Sequence, residues 1–236
     1  LMDVDMIVEN LNLFFSENKD IQTHREKLIN FLEYKIFEKK NNESLKNINL
    51  KNFIDFIVNL IPNKNEKLQI MYGIDGQKTL NEKTLDHLSG YKNSKPVRVG
   101  NAAYIQKQND IYGILMDAIH FQIDTYKDDN YKYEELWSIV KSVVWVVEKN
   151  WKNPDKGIWE FRNEDQHFTF SKVLCWVAID RAIKISNIIQ RGEKAKKWET
   201  LRNKIMEDIM NNAWCSDKKA FTQIYGSSDL DASVLL

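Results

Sequence analysis

The chain has 236 residues, 43% of them hydrophobic and 29% charged, a composition that suits a globular protein with a sizeable core. Its 34 basic residues balance 34 acidic ones, so there is no cationic surplus to hold a phosphate backbone, and nucleic acid is excluded as the main partner. No run approaches the about 18 uncharged apolar residues of a membrane span, and the N-terminus lacks a basic segment followed by an apolar one, so neither a membrane anchor nor a signal peptide is expected. Residue 1 is Leu, which fits either a piece of a longer chain or a start at Met2.

Apolar residues three and four apart dominate the pattern and predict helices. Residues 5–16 and 23–37 carry the first two, 41–49 read as a polar loop, and 51–60 carry a third that Pro62 closes. Residues 68–99 break the pattern with Gly73, Gly76, Gly90 and Pro96, and predict a long ordered loop of the kind that carries function. Longer helices are predicted over 106–124, 133–151, 168–190 and 194–210, with Pro154, Asp155 and Gly157 interrupting after the second of them. Residues 214–225 are mixed, and a turn follows at Gly226. Cys175 and Cys215 both fall in helical-looking stretches without metal-ligand spacing, and are expected to be reduced core residues of a cytoplasmic protein. The sum is an all-α protein of paired helices joined by loops.

Three segments concentrate chemistry. In the run DKGIWEFR at residues 155–162, Glu160 follows Trp159 and precedes Arg162 by two. A carboxyl that loses water against an indole has its pKa raised and can serve as a general acid. Arg162 would pull the other way, which fits better with orienting a substrate hydroxyl or a neighbour. The same residues also fit a solvated Glu at a loop edge. The segment 98–113 gathers Asn101, Tyr104, Gln106, Gln108, Asp110 and Tyr112 where a loop meets a helix. Amides and a carboxylate there could read the hydroxyls of one sugar while the tyrosines face its C–H side; a capped helix N-terminus is the equal alternative. In the third, at 166–181, His167 and the Asp180–Arg181 pair read as structural, the pair as buried and mutually satisfied. His24, His87, His120 and His167 are too scattered for zinc, and no phosphate-cradling glycine motif appears, so no metal and no cofactor are expected.

Taken together, LQIMYGIDG at 68–76, HLSGY at 87–91 with PVRVGNAAY at 96–104, GIWEFR at 157–162, residues 167–181 and YGSSDLDAS at 225–233 resemble glycoside hydrolase family fifteen. That family includes glucoamylases, glucodextranases and a branch of trehalases. The blocks stand in the family's order over residues 68–236. The resemblance implies an (α/α)6 toroid of helical hairpins, incomplete in this chain, preceded by a weakly family-like helical part at 1–67. It implies inverting hydrolysis of an α-glucosidic bond in an oligosaccharide or disaccharide, without a cofactor. Glu160 would be the general acid, and Trp159, Arg162, Asn101, Gln108 and Asp110 would line the sugar site. The family's general base belongs to a later segment, and no candidate for it is found up to Leu236. An aromatic-Arg-Asp sugar clamp is missing from 1–67, and Ile114 stands where the bacterial branch has Glu. The alternatives are a catalytically incomplete fragment or relic that binds carbohydrate without turnover, and an α-toroid lyase or epimerase. Whether the glucoside is maltodextrin, dextran or trehalose stays open.

Overall fold

The computed structural model describes residues 43–60, 68–126 and 132–235. The helices expected over 5–16 and 23–37 lie outside the described residues. By compactness the chain divides into two units, Leu1–Ile57 and Val58–Leu236. Five helices are described: α1 (Glu43–Leu60), α2 (Asp110–Thr125), α3 (Tyr133–Asn150), α4 (Thr169–Ile188) and α5 (Ala195–Ala213). Two short antiparallel ladders accompany them. β1 (Lys83–Thr84) pairs with β2 (Arg98–Val99), and β3 (Trp214–Cys215) pairs with β4 (Ala220–Phe221). The protein is all-α, as its periodicity predicts, and no helix among the described residues is long and apolar enough to cross a membrane.

Two local expectations are corrected. Helix α1 begins at Glu43, inside the stretch expected to be a polar loop, because its mostly polar first turns have a composition that suits either form. Cys215 lies in the β3–β4 hairpin and is half-buried, whereas Cys175 is a buried helical residue; both thiols are free. The hairpin holds the aromatic residues Trp214 and Phe221 directly across from one another, with ring centroids 5.2 Å apart, and such cross-strand pairs favour a ladder over a helix.

Helix α4 is the centre of the second unit and packs on α2, α5 and α3. Its buried residues Ala178, Ile179, Ala182 and Ile185 sit three and four apart, as do Met116, Ile119 and Ile123 on α2 and Leu136, Val140, Val143 and Val147 on α3. Gly113 sets the closest approach: a Cβ there would lie 2.4 Å from the Leu174 carbonyl oxygen of α4, so only glycine fits. Trp137 of α3 and Trp198 of α5 meet with centroids 5.6 Å apart. Helix α4 ends with Gln190 in the left-handed region (φ 56°) and the Arg191 N–H donating to the Ser186 carbonyl at 2.7 Å, a closure that satisfies the last carbonyls.

A buried charge network ties three of these helices together. Arg181 donates through Nε to Asp117 of α2 at 2.6 Å and through a terminal nitrogen to Asp180 at 2.8 Å. Arg202 of α5 reaches the other Asp180 oxygen at 3.1 Å. The predicted buried pair is therefore part of a multi-helix arrangement, and each charge has a counter-charge.

Candidate active site

The loop that carries Glu160 hangs between two fixed ends. At its base Asp155 and Gln166 exchange both backbone hydrogen bonds, each 2.9 Å. Asp155 is only 1% exposed, and its side chain performs two jobs. Oδ1 accepts the Gly157 N–H at 3.2 Å, the local turn that a Pro-Asp-x-Gly sequence encodes. Oδ2 accepts the Asn109 N–H at 2.6 Å and so caps the start of α2 from outside that helix. Gly157 has φ 64°, and a Cβ there would stand 2.8 Å from the Phe168 ring. Phe161 stacks on that same ring at 5.3 Å.

Glu160 is half-buried and adopts φ 54°, uncommon for a residue with a side chain. Its backbone is held there from two directions. Its N–H donates to the Gly157 carbonyl at 3.2 Å, and the Gln106 side-chain amide donates to the carbonyls of both Glu160 and Phe161 at 3.3 Å. Gln108 donates in turn to the Gln106 oxygen at 3.1 Å. The Lys156 N–H also reaches the Lys107 carbonyl at 3.1 Å. The 106–108 strip thus grips the 155–161 loop along its length.

Beside this grip lies a cleft of about 670 Å³, lined in part by Gln69, Tyr104, Gln106, Gln108, Tyr112 and Trp145. Of the residues expected at a sugar site, Tyr104 and Gln108 line the cleft directly, and Glu160 is joined to it through Gln106. The Tyr104 hydroxyl donates to Asn81 Oδ1 at 3.0 Å. Asn101 receives its place from the same neighbourhood: its N–H donates to the Leu80 carbonyl, and its side-chain oxygen caps the short turn 102–105 by accepting the Ala103 N–H at 2.9 Å. Arg162 is exposed and pairs with Glu82 at 3.1 Å, with Arg98 on the other oxygen of that carboxylate. Residues 80–82 therefore organise Asn101, Tyr104 and Arg162 together.

Asp110 and Trp159 sit elsewhere. Asp110 is 3% exposed in the first turn of α2, does not line the cleft, and its Oδ1 has no hydrogen-bond partner among the described residues. Burial and the nearby Asp155 charge push its carboxyl up to about 6. Burial also raises Asp155, against the pull of its N–H donors, and lowers the ammonium of Lys172, which is 1% exposed and donates to the carbonyls of Trp151 and Asn153 at 2.6 and 2.9 Å. The Ser171 hydroxyl lies against the Asp155 carboxylate and pulls its pKa down, and the Asn109 amide is buried without a hydrogen-bond partner among the described residues. Trp159 is 55% exposed, and its indole N–H donates to Asp231 Oδ2 at 2.7 Å.

Asp231 arrives there because its segment docks on the start of α4. The Thr169 N–H donates to the Gln223 carbonyl at 2.9 Å, the Tyr225 N–H to the His167 carbonyl at 3.0 Å, and the His167 and Tyr225 rings stack at 5.9 Å. Sequence reasoning did not single out Asp155 or Asp231 as site residues. The signal for Asp155 was its place two residues before a glycine; Asp231 carried none beyond its motif.

Residues 48–236 match Glycosyl hydrolases family 15. The chain is 44% identical over 178 residues to a trehalase of Mycobacterium tuberculosis, covering 74% of this chain and 25% of that protein. It is 45% identical over 172 residues to a trehalase of Mycolicibacterium smegmatis, covering 72% and 25%. Against trehalase 2 of Sulfolobus acidocaldarius it is 36% identical over 183 residues, covering 77% and 31%. The chain thus spans between a quarter and a third of the length of these relatives. No solved structure matches it at a significant level. The ordered blocks, the helical architecture and the match over most of the chain place it in one family: this chain belongs to Glycosyl hydrolases family 15.

Proposed function

We propose that this chain is the acid-bearing part of an inverting glycoside hydrolase that cleaves the α-glucosidic bond of a disaccharide of the trehalose type, with Glu160 as the general acid. Residues 68–236 form the partial catalytic domain in this reading. The observation that carries it is the grip on Glu160. The Glu160 backbone is held at φ 54° by a neighbouring turn and by the Gln106 amide, on a loop beside a cleft lined by amides and tyrosines. The trehalase names of the relatives support the choice of substrate.

In the proposed reaction the Glu160 carboxyl protonates the glycosidic oxygen as the bond to the anomeric carbon breaks. Water, deprotonated by a second carboxylate, attacks that carbon from the opposite face, and the two carboxyls stand roughly 6.5–9.5 Å apart to admit it. From trehalose, one glucose leaves with its α configuration and the other emerges as β. The second carboxylate is expected from a later segment of the family's catalytic domain, so turnover is a property of the polypeptide that carries both. Gln108, Tyr104 and Asn101 bind sugar hydroxyls, Trp159 offers an aromatic face, and Arg162 is held against Glu82 at the rim. Asp110 supports the site from beneath the surface. The test is Glu160→Gln in the whole polypeptide: kcat should fall by about 10²–10⁴-fold, the usual contribution of general acid catalysis, while trehalose affinity changes little. Wild-type turnover in that variant would overturn the assignment.

A further inference from the structure

We propose that Asp231 is a positioning residue that fixes the Trp159 indole as a platform for the C–H face of a pyranose ring. The inference rests on the reading of Trp159 as a sugar-contacting side chain. The two residues are 72 positions apart and belong to separate sequence blocks, yet the Trp159 Nε1–H meets Asp231 Oδ2 at 2.7 Å. That is a charge-assisted bond at the short end of its range.

Asp231 is itself held rigidly. Its Oδ1 accepts the Ser233 N–H at 2.6 Å, and the Gln223 side-chain amide donates to the same Oδ2 as the indole. Gln223 is anchored in turn, its N–H on the Asp229 carbonyl at 2.7 Å and its carbonyl on the Thr169 N–H. Partial burial raises the carboxyl's pKa, but the donors from Ser233, Trp159 and Gln223 outweigh it and hold the group below its ordinary range. It is therefore an acceptor-only carboxylate at neutral pH, with three donors converging on it.

Trp159 combines a pinned edge with a free face. The indole is 55% exposed on the loop that carries Glu160. Fixing its N–H removes the rotamer freedom that a free tryptophan would lose on stacking, so the ordering cost is met before the ligand arrives. The bond to Asp231 thus acts on substrate binding and not on proton transfer.

The experiment compares Asp231→Asn, Trp159→Phe and the double variant in the whole polypeptide, with kcat and KM for trehalose measured separately. The asparagine is isosteric, but with one acceptor oxygen it cannot serve both the Ser233 N–H and the indole. Asp231→Asn should raise KM about tenfold, the loss of one charge-assisted hydrogen bond, with kcat within about twofold. In the Trp159→Phe background it should add nothing to KM. A parallel measurement on this chain is hydrogen exchange at the Trp159 indole N–H, assigned by its disappearance in Trp159→Phe: slow in the wild type and at least about tenfold faster in Asp231→Asn. Multiplying KM effects in the double variant, or a KM raised by Trp159→Phe but not by Asp231→Asn, would overturn the role given to Asp231. If neither single variant moves KM while the exchange rate does change, it is the sugar-contacting role of Trp159 that fails.

Discussion

The helical scaffold and the loop face treat buried polarity in opposite ways. Between α2, α4 and α5, Arg181 meets Asp117 and Asp180, and Arg202 and Lys184 complete the set around Asp180. At the start of α2, a few turns away, an Asp110 oxygen and the Asn109 amide are buried without hydrogen-bond partners among the described residues. The first arrangement balances charge across helices and fixes their register. The second keeps carboxyls at raised pKa beneath a loop whose backbone is strained at Glu160, a distribution that costs stability and that, in the proposed function, serves the reaction.

The comparison can be broken most severely from the scaffold side. Arg181→Leu removes the cation that Asp117 and Asp180 share, leaving Asp180 with Arg202 and Lys184, and should cost about 3 kcal/mol, read by urea denaturation. A loss below about 1 kcal/mol would mean that the network does not hold the helices. Next comes Gly157→Ala, where a side chain would need φ 64° and would press on Phe168; it should cost about 1–3 kcal/mol and lower kcat, because the Glu160 loop must move. An unchanged kcat would detach the loop from the chemistry.

The smallest and most selective effect is on pH. The Asp110 carboxyl stands raised in the fold, so it adds stability below the ordinary carboxylate range, and that stability is lost as pH rises through about 6. Asp110→Asn removes this dependence. The variant should gain stability over the wild type at pH 7, by no more than roughly 2–3 kcal/mol, because each pH unit between the ordinary carboxyl value and about 6 is worth about 1.4 kcal/mol. The gain should vanish near pH 4, where the carboxyl is neutral in the fold. Parallel Tm curves for the two proteins across that range would contradict the buried-carboxyl account.

How much of this was legible in the sequence depends on the physics behind each part. The helices from 110 onward follow from apolar spacing, since burial on one face is what forms them: α3 occupies 133–150 against an expected 133–151, and α4 occupies 169–188 against 168–190. The buried Asp180–Arg181 pair was legible as two charges deep in an apolar helix. The start of α1 at Glu43 was not, because a polar helical turn and a polar loop share a composition. The β3–β4 hairpin was missed because two-residue strands are too short to show alternation. At the site, the grouping of Asn101, Tyr104 and Gln108 could be read from one segment. Their tie to residues 80–82, the Gln106 grip on Glu160 and the Asp231 bond to Trp159 are long-range contacts that no local pattern encodes.

The most direct test of Glu160 as the acid of an inverting reaction is the anomeric form of the glucose released in the first moments of trehalose cleavage, followed by proton NMR before mutarotation, in the whole polypeptide with and without Glu160→Gln. One α- and one β-glucose per bond cleaved are expected, with the signal reduced by orders of magnitude in the variant. Two α-glucose molecules per bond, or β-glucose formed at the wild-type rate without the Glu160 carboxyl, would contradict it.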